Sequence, residues 1–419
     1  MTSSHLPPLR LSFLMWGMAA AFYLLDFFQR VSPAALALDL SREIAPTAVA
    51  LGSLSSAYFI TYAGLQLPAG MLIDRFGGRM VLAASAALGM VGALFFASAT
   101  SLSEAIVGRL IVGASGAVAW VGMLKLASHW FSPARFAGIT GLSLAVGGCG
   151  AVLSGLPLSL LAQALGWREV IHASAAVAAL LAGLILWKLR DEPKQLGYEN
   201  HAHPASSESS GPHKTPIRDL ALLSLGQMGV TGSLAALGWL WSVPFLTSQF
   251  SLSLSSATLF SSVMMVGFAV GGVLFGAYSD RQRSRKRPLL AGTIGTALGL
   301  GALASGSLAG SVVLTVAALW LIGLCAGSMV LSFAWAKDLM QGRRTATVIA
   351  LVNLCVMTGS IVLPPIFGAV LDALWQGEVA GGVRHYPMVA FESAFGVLAL
   401  WVLFTLIAQL LVREPKHKG

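Results

Sequence analysis

The chain has 419 residues, of which 56% are hydrophobic and only 10% are charged, and its mean hydropathy is +0.78. Such a composition excludes a water-soluble globular protein and indicates an all-α integral membrane protein. The net charge of +9 arises from basic loops, as shown below, so it does not indicate nucleic-acid binding.

Twelve apolar segments are long enough to cross a bilayer as helices. Six precede the most polar stretch of the chain, and six follow it. The segments lie near residues 11–38, 48–73, 79–99, 104–130, 136–163, 168–189, 219–246, 253–279, 288–308, 311–336, 345–374 and 388–412.

The polar stretch Arg190–Asp219 is rich in serine, proline, histidine and charge, which is typical of a solvated linker. The sequence therefore predicts three parts. These are an N-terminal six-helix bundle at residues 1–189, a cytoplasmic linker at 190–218 and a C-terminal six-helix bundle at 219–419.

Cysteine and histidine residues do not have the spacing of a disulfide framework or a metal site. The three cysteines are widely separated inside apolar segments, and three histidines share the flexible linker, where a metal ion is the alternative to plain linker. We expect no metal and no cofactor. The residues concerned are Cys149, Cys325, Cys355, His201, His203 and His213.

Lysine and arginine are concentrated in alternate loops and at the termini. The other set of loops, which we call the basic-poor loops, holds only Arg42, Arg168 and Arg384. Because cytoplasmic loops carry the excess of basic residues, both termini are predicted to be cytoplasmic. Anionic lipid headgroups are the expected partners of the basic loops.

A short charged motif occurs twice. GMLIDRFGGRM, Gly70–Met80, follows the second span, and GAYSDRQRSRKRP, Gly276–Pro288, begins 206 positions later with the same G-x-x-x-D-R core. An aspartate at a helix end can accept hydrogen bonds from backbone amides and pair with an arginine. Such turns are predicted to act in conformational gating, and the alternative is that they are only positive-inside anchors. The predicted gating residues are Gly70, Asp74, Arg75, Gly77, Arg79, Asp280 and Arg281.

The first copy resembles the cytoplasmic signature G-x-L-x-D-R-x-G-R-R of the major facilitator superfamily, with Gly78 in place of one basic residue. The resemblance extends over essentially the whole chain. It implies two six-helix bundles around a central cavity that opens alternately to each side, in a monomeric carrier of a bacterial inner membrane. Further matches are GRLIVGASGA at Gly108–Ala117, HWFSPARFA at His129–Ala137 and GWRE at Gly166–Glu169.

Charged residues inside the spans point to the substrate path, because an ionisable group at membrane depth is costly. Asp26 and Arg30 in the first span are four residues apart and therefore lie on one helix face within pairing distance. Arg30 is predicted to bind a carboxylate or phosphate, and Asp26 to exchange a proton. Tyr23 and Gln29 are added as substrate-binding residues. The alternative is a structural ion pair.

Arg109 in the fourth span precedes a glycine-rich face. The superfamily resemblance implies a role in proton coupling or in holding an acidic partner, and the alternative is an arginine that snorkels to the interface. Lys125, farther along the same span, is expected to snorkel rather than to bind substrate.

Aromatic and amide side chains form the second group of candidates. Tyr58 and Tyr62 lie four residues apart on the second span and are predicted substrate-binding residues in a cavity wall, with aromatic packing as the alternative. In the C-terminal half an amide inside a span needs a partner, and single tryptophans are more often packing residues. The predicted substrate-binding residues there are Gln227, Trp239, Trp335 and Asn353.

The sequence thus favours a proton-coupled importer of a small organic anion or zwitterion, such as a carboxylate or an amino acid. The first two spans resemble those of bacterial uptake carriers near the anion/cation symporters. The alternatives are a proton-driven exporter of drug-like or siderophore-like compounds and, from a different class, a receptor that does not transport. The antiporter signature of the fifth span is not reproduced in Ser143–Leu158, and no convergent nucleophiles indicate an enzyme.

Overall fold

The structure is a computed structural model that describes residues 6–201, 217–340 and 345–413. It is almost entirely helical. Up to the linker, the helices are α1 Leu9–Val31, α2 Ala37–Glu43, α3 Ala48–Gly64, α4 Gln66–Phe76, α5 Gly78–Ala97, α6 Leu102–Gly116, α7 Ala119–Trp130, α8 Pro133–Leu153, α9 Leu156–Leu165, α10 Trp167–Lys188 and a short 3-10 helix, Pro193–Leu196.

After the linker, a π-helical turn joins two helices, and a small antiparallel β-hairpin precedes the last helix. The elements are α11 Ile217–Ala236, the π-helical turn Leu237–Trp241, α12 Ser242–Phe250, α13 Leu254–Gln282, α14 Lys286–Ala304, α15 Val312–Ala326, the 3-10 turn Gly327–Met329, α16 Val330–Met340, α17 Thr345–Ala373, β1 Val379–Ala380, β2 Val383–Arg384 and α18 Met388–Leu411.

The described residues contain 11 helices that are long and apolar enough to cross a membrane, or 12 if one bent pair counts as a span. This confirms the predicted all-α membrane fold. The bent pair is α2 and α3, which meet at 117°. The cytoplasmic location of the termini stays a prediction.

The first span ends earlier than the sequence suggested. It was expected to reach residue 38, whereas α1 ends at Val31, two residues before Pro33. Proline has no backbone N–H to continue the ladder and disfavours a helical conformation at the residue before it. The chain therefore turns and starts a new helix at Ala37.

By their contacts the helices form two compact units. The first takes in residues of Met1–Val31 and Ile60–Ser207, and the second takes in residues of Ser32–Phe59 and Glu208–Gly419. The segment Ser32–Phe59, which we call segment 32–59, thus groups with helices of the C-terminal half. The predicted domain boundaries at 189 and 219 stay a prediction.

In the first unit, α5 packs against α6 and α10, and α1 packs against α7 and α8. Its core includes Trp16, Phe22, Trp130 and Phe131, all nearly inaccessible. In the second unit, α11 packs on α17 and α18, and α13 packs on α15. Small residues at such contacts let helix backbones approach closely, which is how membrane helices gain packing energy.

Candidate functional site

The Asp26–Arg30 pair of α1 is buried. The Arg30 Nη2 donates to Asp26 Oδ2 at 2.7 Å, and the two side chains are 5% and 1% exposed. The distance agrees with the proximity that their four-residue spacing predicts, because such residues are neighbours on a helix. The assigned roles in substrate and proton binding stay predictions.

Two aromatic rings surround the Arg30 guanidinium. Its central carbon lies 4.2 Å from the Phe27 ring centroid and 4.5 Å from that of Tyr62. A cation over an aromatic face is attracted by the ring quadrupole, and this attraction grows when the group is shielded from water. The guanidinium is therefore held in place from α1 and from α3.

Arg109 caps the C-terminal end of α1. Its Nη1 donates to the carbonyl oxygen of Gln29, and its Nη2 donates to that of Arg30 at 3.1 Å. The residue four positions after Gln29 is Pro33, which has no N–H, so the helix itself cannot satisfy the Gln29 carbonyl. A positive charge at this end also interacts favourably with the negative end of the helix dipole. Because Arg109 is only 1% exposed, the snorkelling alternative is wrong.

Replacing Arg109 with alanine is expected to lower stability by about 1–3 kcal/mol for each buried carbonyl left without its donor. Thermal unfolding of the purified variant measures this loss. The matched control is Arg168→Ala, because Arg168 also donates to a backbone carbonyl, that of Ala99. Both guanidinium groups lie over an aromatic ring, that of Phe96 for Arg109 and that of Trp167 for Arg168. Arg168 is only half-buried, so a smaller loss is expected.

A double-mutant cycle separates this capping from a purely proton-coupling role. Pro33→Ala supplies an N–H within reach of the Gln29 carbonyl, so it should offset part of the loss in Arg109→Ala. An unchanged melting temperature in Arg109→Ala, with loss of pH-driven uptake alone, would contradict the capping role.

Gln29 and Tyr23 make packing contacts inside the first unit. The Gln29 Nε2 donates to Ser174 Oγ of α10 at 3.2 Å. The Tyr23 ring lies 5.1 Å from that of Phe27 and 5.3 Å from that of Trp120. Their predicted part in substrate binding is untested, and these contacts also suit a role in positioning α1.

The two tyrosines of α3 have different surroundings. Tyr62 lies beside Arg30 in the first unit, whereas Tyr58 lies in the second unit, where its ring is 5.1 Å from Phe59. Phe59 in turn stacks on Trp239, with 5.2 Å between centroids and 13° between planes. Tyr58 and Trp239 thus lie in aromatic packing, and Tyr62 makes a cation–π contact. Their substrate-binding roles stay predictions.

Two other C-terminal candidates carry buried polar atoms. Within the described residues, neither Nε2 nor Oε1 of Gln227 has a hydrogen-bond partner, and the same holds for the indole N–H of Trp335. Both side chains are fully buried, and a buried polar group without a partner is costly. Asn353 lies on α17 and is partly exposed.

The first gating motif pairs its aspartate with a lysine. We expected an arginine, but the Asp74 Oδ1 accepts from Lys125 Nζ of α7 at 2.6 Å. Lys125 is thus the residue that sequence reasoning missed here, since it was assigned to snorkelling. Arg75 lies over the Phe76 ring. In the second copy Asp280 pairs with Arg285 at 2.7 Å, and Arg281 is exposed.

Asp191 lies against two of the three glycines in the first motif, Gly77 and Gly78. Gly77 has a φ of 82°, which favours glycine, and it precedes α5. The Asp191 Oδ1 accepts from the Arg79 N–H at 2.6 Å and caps this helix. A Cβ at Gly78 would lie 3.0 Å from the same oxygen, so a basic residue there would crowd the carboxylate. Sequence analysis did not single out Asp191. Its position three residues after the sixth span was the signal that could have identified it.

In the part of the chain that the structure describes, no three His, Cys, Asp or Glu side chains are grouped to hold a metal ion. His203 and His213, two of the linker histidines, lie outside the described residues.

The fold is a multi-pass helical membrane protein with a buried ion pair inside its first span. The sequence model of the Major Facilitator Superfamily matches residues 11–240 and 221–419. The chain belongs to this superfamily, and it is a secondary transporter rather than an enzyme.

Relatives and solved structures agree with this assignment. The chain is 23% identical over 427 residues to the "Probable sulfoacetate transporter SauU" of Cupriavidus necator, covering 96% of this chain and 95% of the relative. It is 21% identical to the hexuronate transporter of Bacillus subtilis, covering 87% and 90%. The crystal structure of a bacterial homologue of the human lysosomal transporter Spinster superposes with a TM-score of 0.79 at 16% identity, covering 97% and 98%. The structural likeness shows the shared fold alone.

Proposed function

We propose that this transporter is a proton-coupled importer of a small organic anion or zwitterion. The observation that carries the proposal is the buried Asp26–Arg30 pair. A guanidinium matches carboxylate and related oxyanions by geometry and charge, and it remains positive at every physiological pH.

Charge balance supports exchange at this pair. In the absence of substrate, Asp26 and Arg30 neutralise each other. When an anionic group binds Arg30 and Asp26 takes a proton, the net charge at the pair is again zero. Moving an anion and a proton together avoids leaving an unpaired charge in a low-dielectric environment, which would cost several kcal/mol.

The names of the two relatives also support an anionic substrate. Both denote transporters of organic acids, sulfoacetate in one case and hexuronate in the other. A sulfonate and a carboxylate are both oxyanions that accept hydrogen bonds from a guanidinium. We therefore place small carboxylates and sulfonates first among the candidate substrates.

The remaining predicted residues stay part of the proposal. In the second unit, the buried amide of Gln227 and indole N–H of Trp335 would gain hydrogen-bond partners from polar groups of a substrate, and Trp239 and Asn353 complete that set. The chain is proposed to act as a monomer in a bacterial inner membrane, with cytoplasmic termini and anionic lipids at its basic loops.

Uptake into proteoliposomes tests the proposal. Purified transporter is reconstituted, a pH gradient is imposed with the acidic side outside, and labelled sulfonates, uronates, monocarboxylates and amino acids are supplied in turn. We expect at least one organic anion to accumulate inside and the accumulation to collapse with a protonophore.

Two outcomes would contradict the proposal. Extrusion of cationic or bulky apolar compounds in exchange for protons, without anion uptake, would establish the exporter. Stabilisation by an anion in thermal unfolding, without flux in either direction, would establish a receptor.

A further inference from the structure

The Asp372 carboxylate, at the end of α17, holds the N-terminus of α3. Its Oδ1 accepts from the Ala48 N–H at 3.1 Å, and its Oδ2 accepts from the Val49 N–H at 2.8 Å. Two donors come from the loop that follows α17. Tyr386 Oη donates to Oδ1 at 2.8 Å, and Arg384 Nη1 donates to it at 3.1 Å. The Ala48 N–H is also shared with Tyr386 Oη at 3.1 Å.

This carboxylate acts as a helix cap that comes from a distant part of the sequence. The first N–H groups of an α-helix have no partner within the helix, and they favour a negative charge. Thr47 satisfies the N–H of Ala50, and Asp372 satisfies the two before it. Burial and the neighbouring Asp372 carboxylate raise the pKa of the Tyr386 hydroxyl, so it remains a donor.

Glycines bring the two backbones into direct contact below this cap. A Cβ on Gly368 would lie 2.4 Å from the Ala48 carbonyl oxygen, and a Cβ on Gly52 would lie 2.5 Å from the Pro364 carbonyl oxygen. Neither position has room for a side chain. Segment 32–59 and α17 are therefore packed backbone to backbone over at least one helical turn.

Two arginines of the basic-poor loops lie at the contact between segment 32–59 and the loop after α17. Arg384 bonds Asp372, and the Arg42 Nε donates to the Gly381 carbonyl oxygen of the hairpin turn at 3.0 Å. Arg384 also lies 4.1 Å from the Trp375 ring centroid. Two of the three arginines in those loops thus join segment 32–59 to the α17–α18 hairpin.

We infer that Asp372, with Arg384 and Tyr386, forms a clamp that must release segment 32–59 whenever this end of the carrier opens. We call these three residues the Asp372 clamp. Its role in a transport cycle rests on the proposed function, because only a carrier with alternating access needs the segment to separate from α17. Loss of the carboxylate removes the bonds to the Ala48 and Val49 N–H groups at once.

Cysteine modification measures the release. Ser56 lies within segment 32–59, is buried, and its Oγ donates to the Ser360 carbonyl oxygen of α17 at 3.4 Å. In purified Ser56→Cys protein whose three native cysteines are replaced, the rate of reaction with N-ethylmaleimide reports opening. We expect Asp372→Ala to raise that rate about tenfold or more, as loss of charge-assisted hydrogen bonds shifts an opening equilibrium. Asp372→Asn, which keeps the shape but loses the charge, should raise it by less.

Two further variants keep the test decisive. Gly368→Ala should raise the modification rate without touching the carboxylate, because its Cβ meets the Ala48 carbonyl. Glu378→Gln is the matched control, since this carboxylate lies in the same hairpin and bonds His385 instead of segment 32–59, and it should leave the rate unchanged.

An unchanged modification rate in folded Asp372→Ala would overturn the inference. If that variant does not fold, the same outcome in Asp372→Asn or Arg384→Gln would do so. The assay requires no substrate. Failure to find anion uptake would therefore contradict the proposed function without contradicting the release of the Asp372 clamp. Conversely, anion uptake with an unchanged modification rate would contradict only the inference about the Asp372 clamp.

Discussion

Arg30→Ala is expected to reduce uptake of the organic anion by about two orders of magnitude or more, because a buried charge-assisted contact is lost. The substitution also leaves the buried Asp26 carboxylate without its partner. Removing one member of a buried ion pair typically costs about 3–5 kcal/mol, so the variant should unfold at a lower temperature as well. Initial uptake rates and thermal unfolding of the same preparation measure the two effects.

A double variant separates binding from folding. Asp26→Asn combined with Arg30→Gln removes both charges and keeps side chains of similar size, so stability should return toward that of the unmodified protein. Uptake should remain absent, since no guanidinium is present. Uptake retained in Arg30→Ala, or restored in the double variant, would assign the pair a purely structural role.

Asp26→Asn alone is expected to separate exchange from accumulation. The amide cannot take up and release a proton, so a pH gradient should no longer drive net uptake, and accumulation should fall to the level set by substrate equilibration. Exchange of internal for external substrate needs no proton, and it should persist. Counterflow and pH-driven accumulation, measured in parallel in proteoliposomes, test both statements.

Glu104→Gln is the matched control for the loss of a carboxylate in the same unit. Glu104 accepts from the backbone N–H and hydroxyl of Thr100 and has no contact with Arg30. Accumulation and counterflow should both match those of the unmodified protein. Intact pH-driven accumulation in Asp26→Asn would rule out Asp26 as the proton-binding group and move coupling to another residue.

The Arg30 and Asp26 variants test separate tasks for two side chains whose charged atoms lie 2.7 Å apart. Arg109 donates to the backbone carbonyls of Gln29 and Arg30, so it bonds the end of the helix that carries the pair. Loss of Arg109 is therefore expected to displace Arg30 through the backbone of α1. A lower uptake rate in Arg109→Ala is expected for this reason, with no contact between Arg109 and the substrate required.

The sequence alone determined the class of protein, the approximate set of spans and the proximity of Asp26 to Arg30. Spans follow from the length and hydrophobicity of continuous segments, and the pair follows from the period of one helix. The charged motif and its repeat also belong to short local stretches. Such features need no knowledge of which distant segments meet.

Only the tertiary structure decided the partners of the remaining charges. Asp74 bonds Lys125 rather than an arginine, Arg109 bonds backbone carbonyls of α1, and Gln29 reaches Ser174. Asp372 caps a helix that begins at Ala48, far away in the sequence. These contacts join residues from separate helices, and their geometry depends on how the helices pack, which periodicity and composition do not encode.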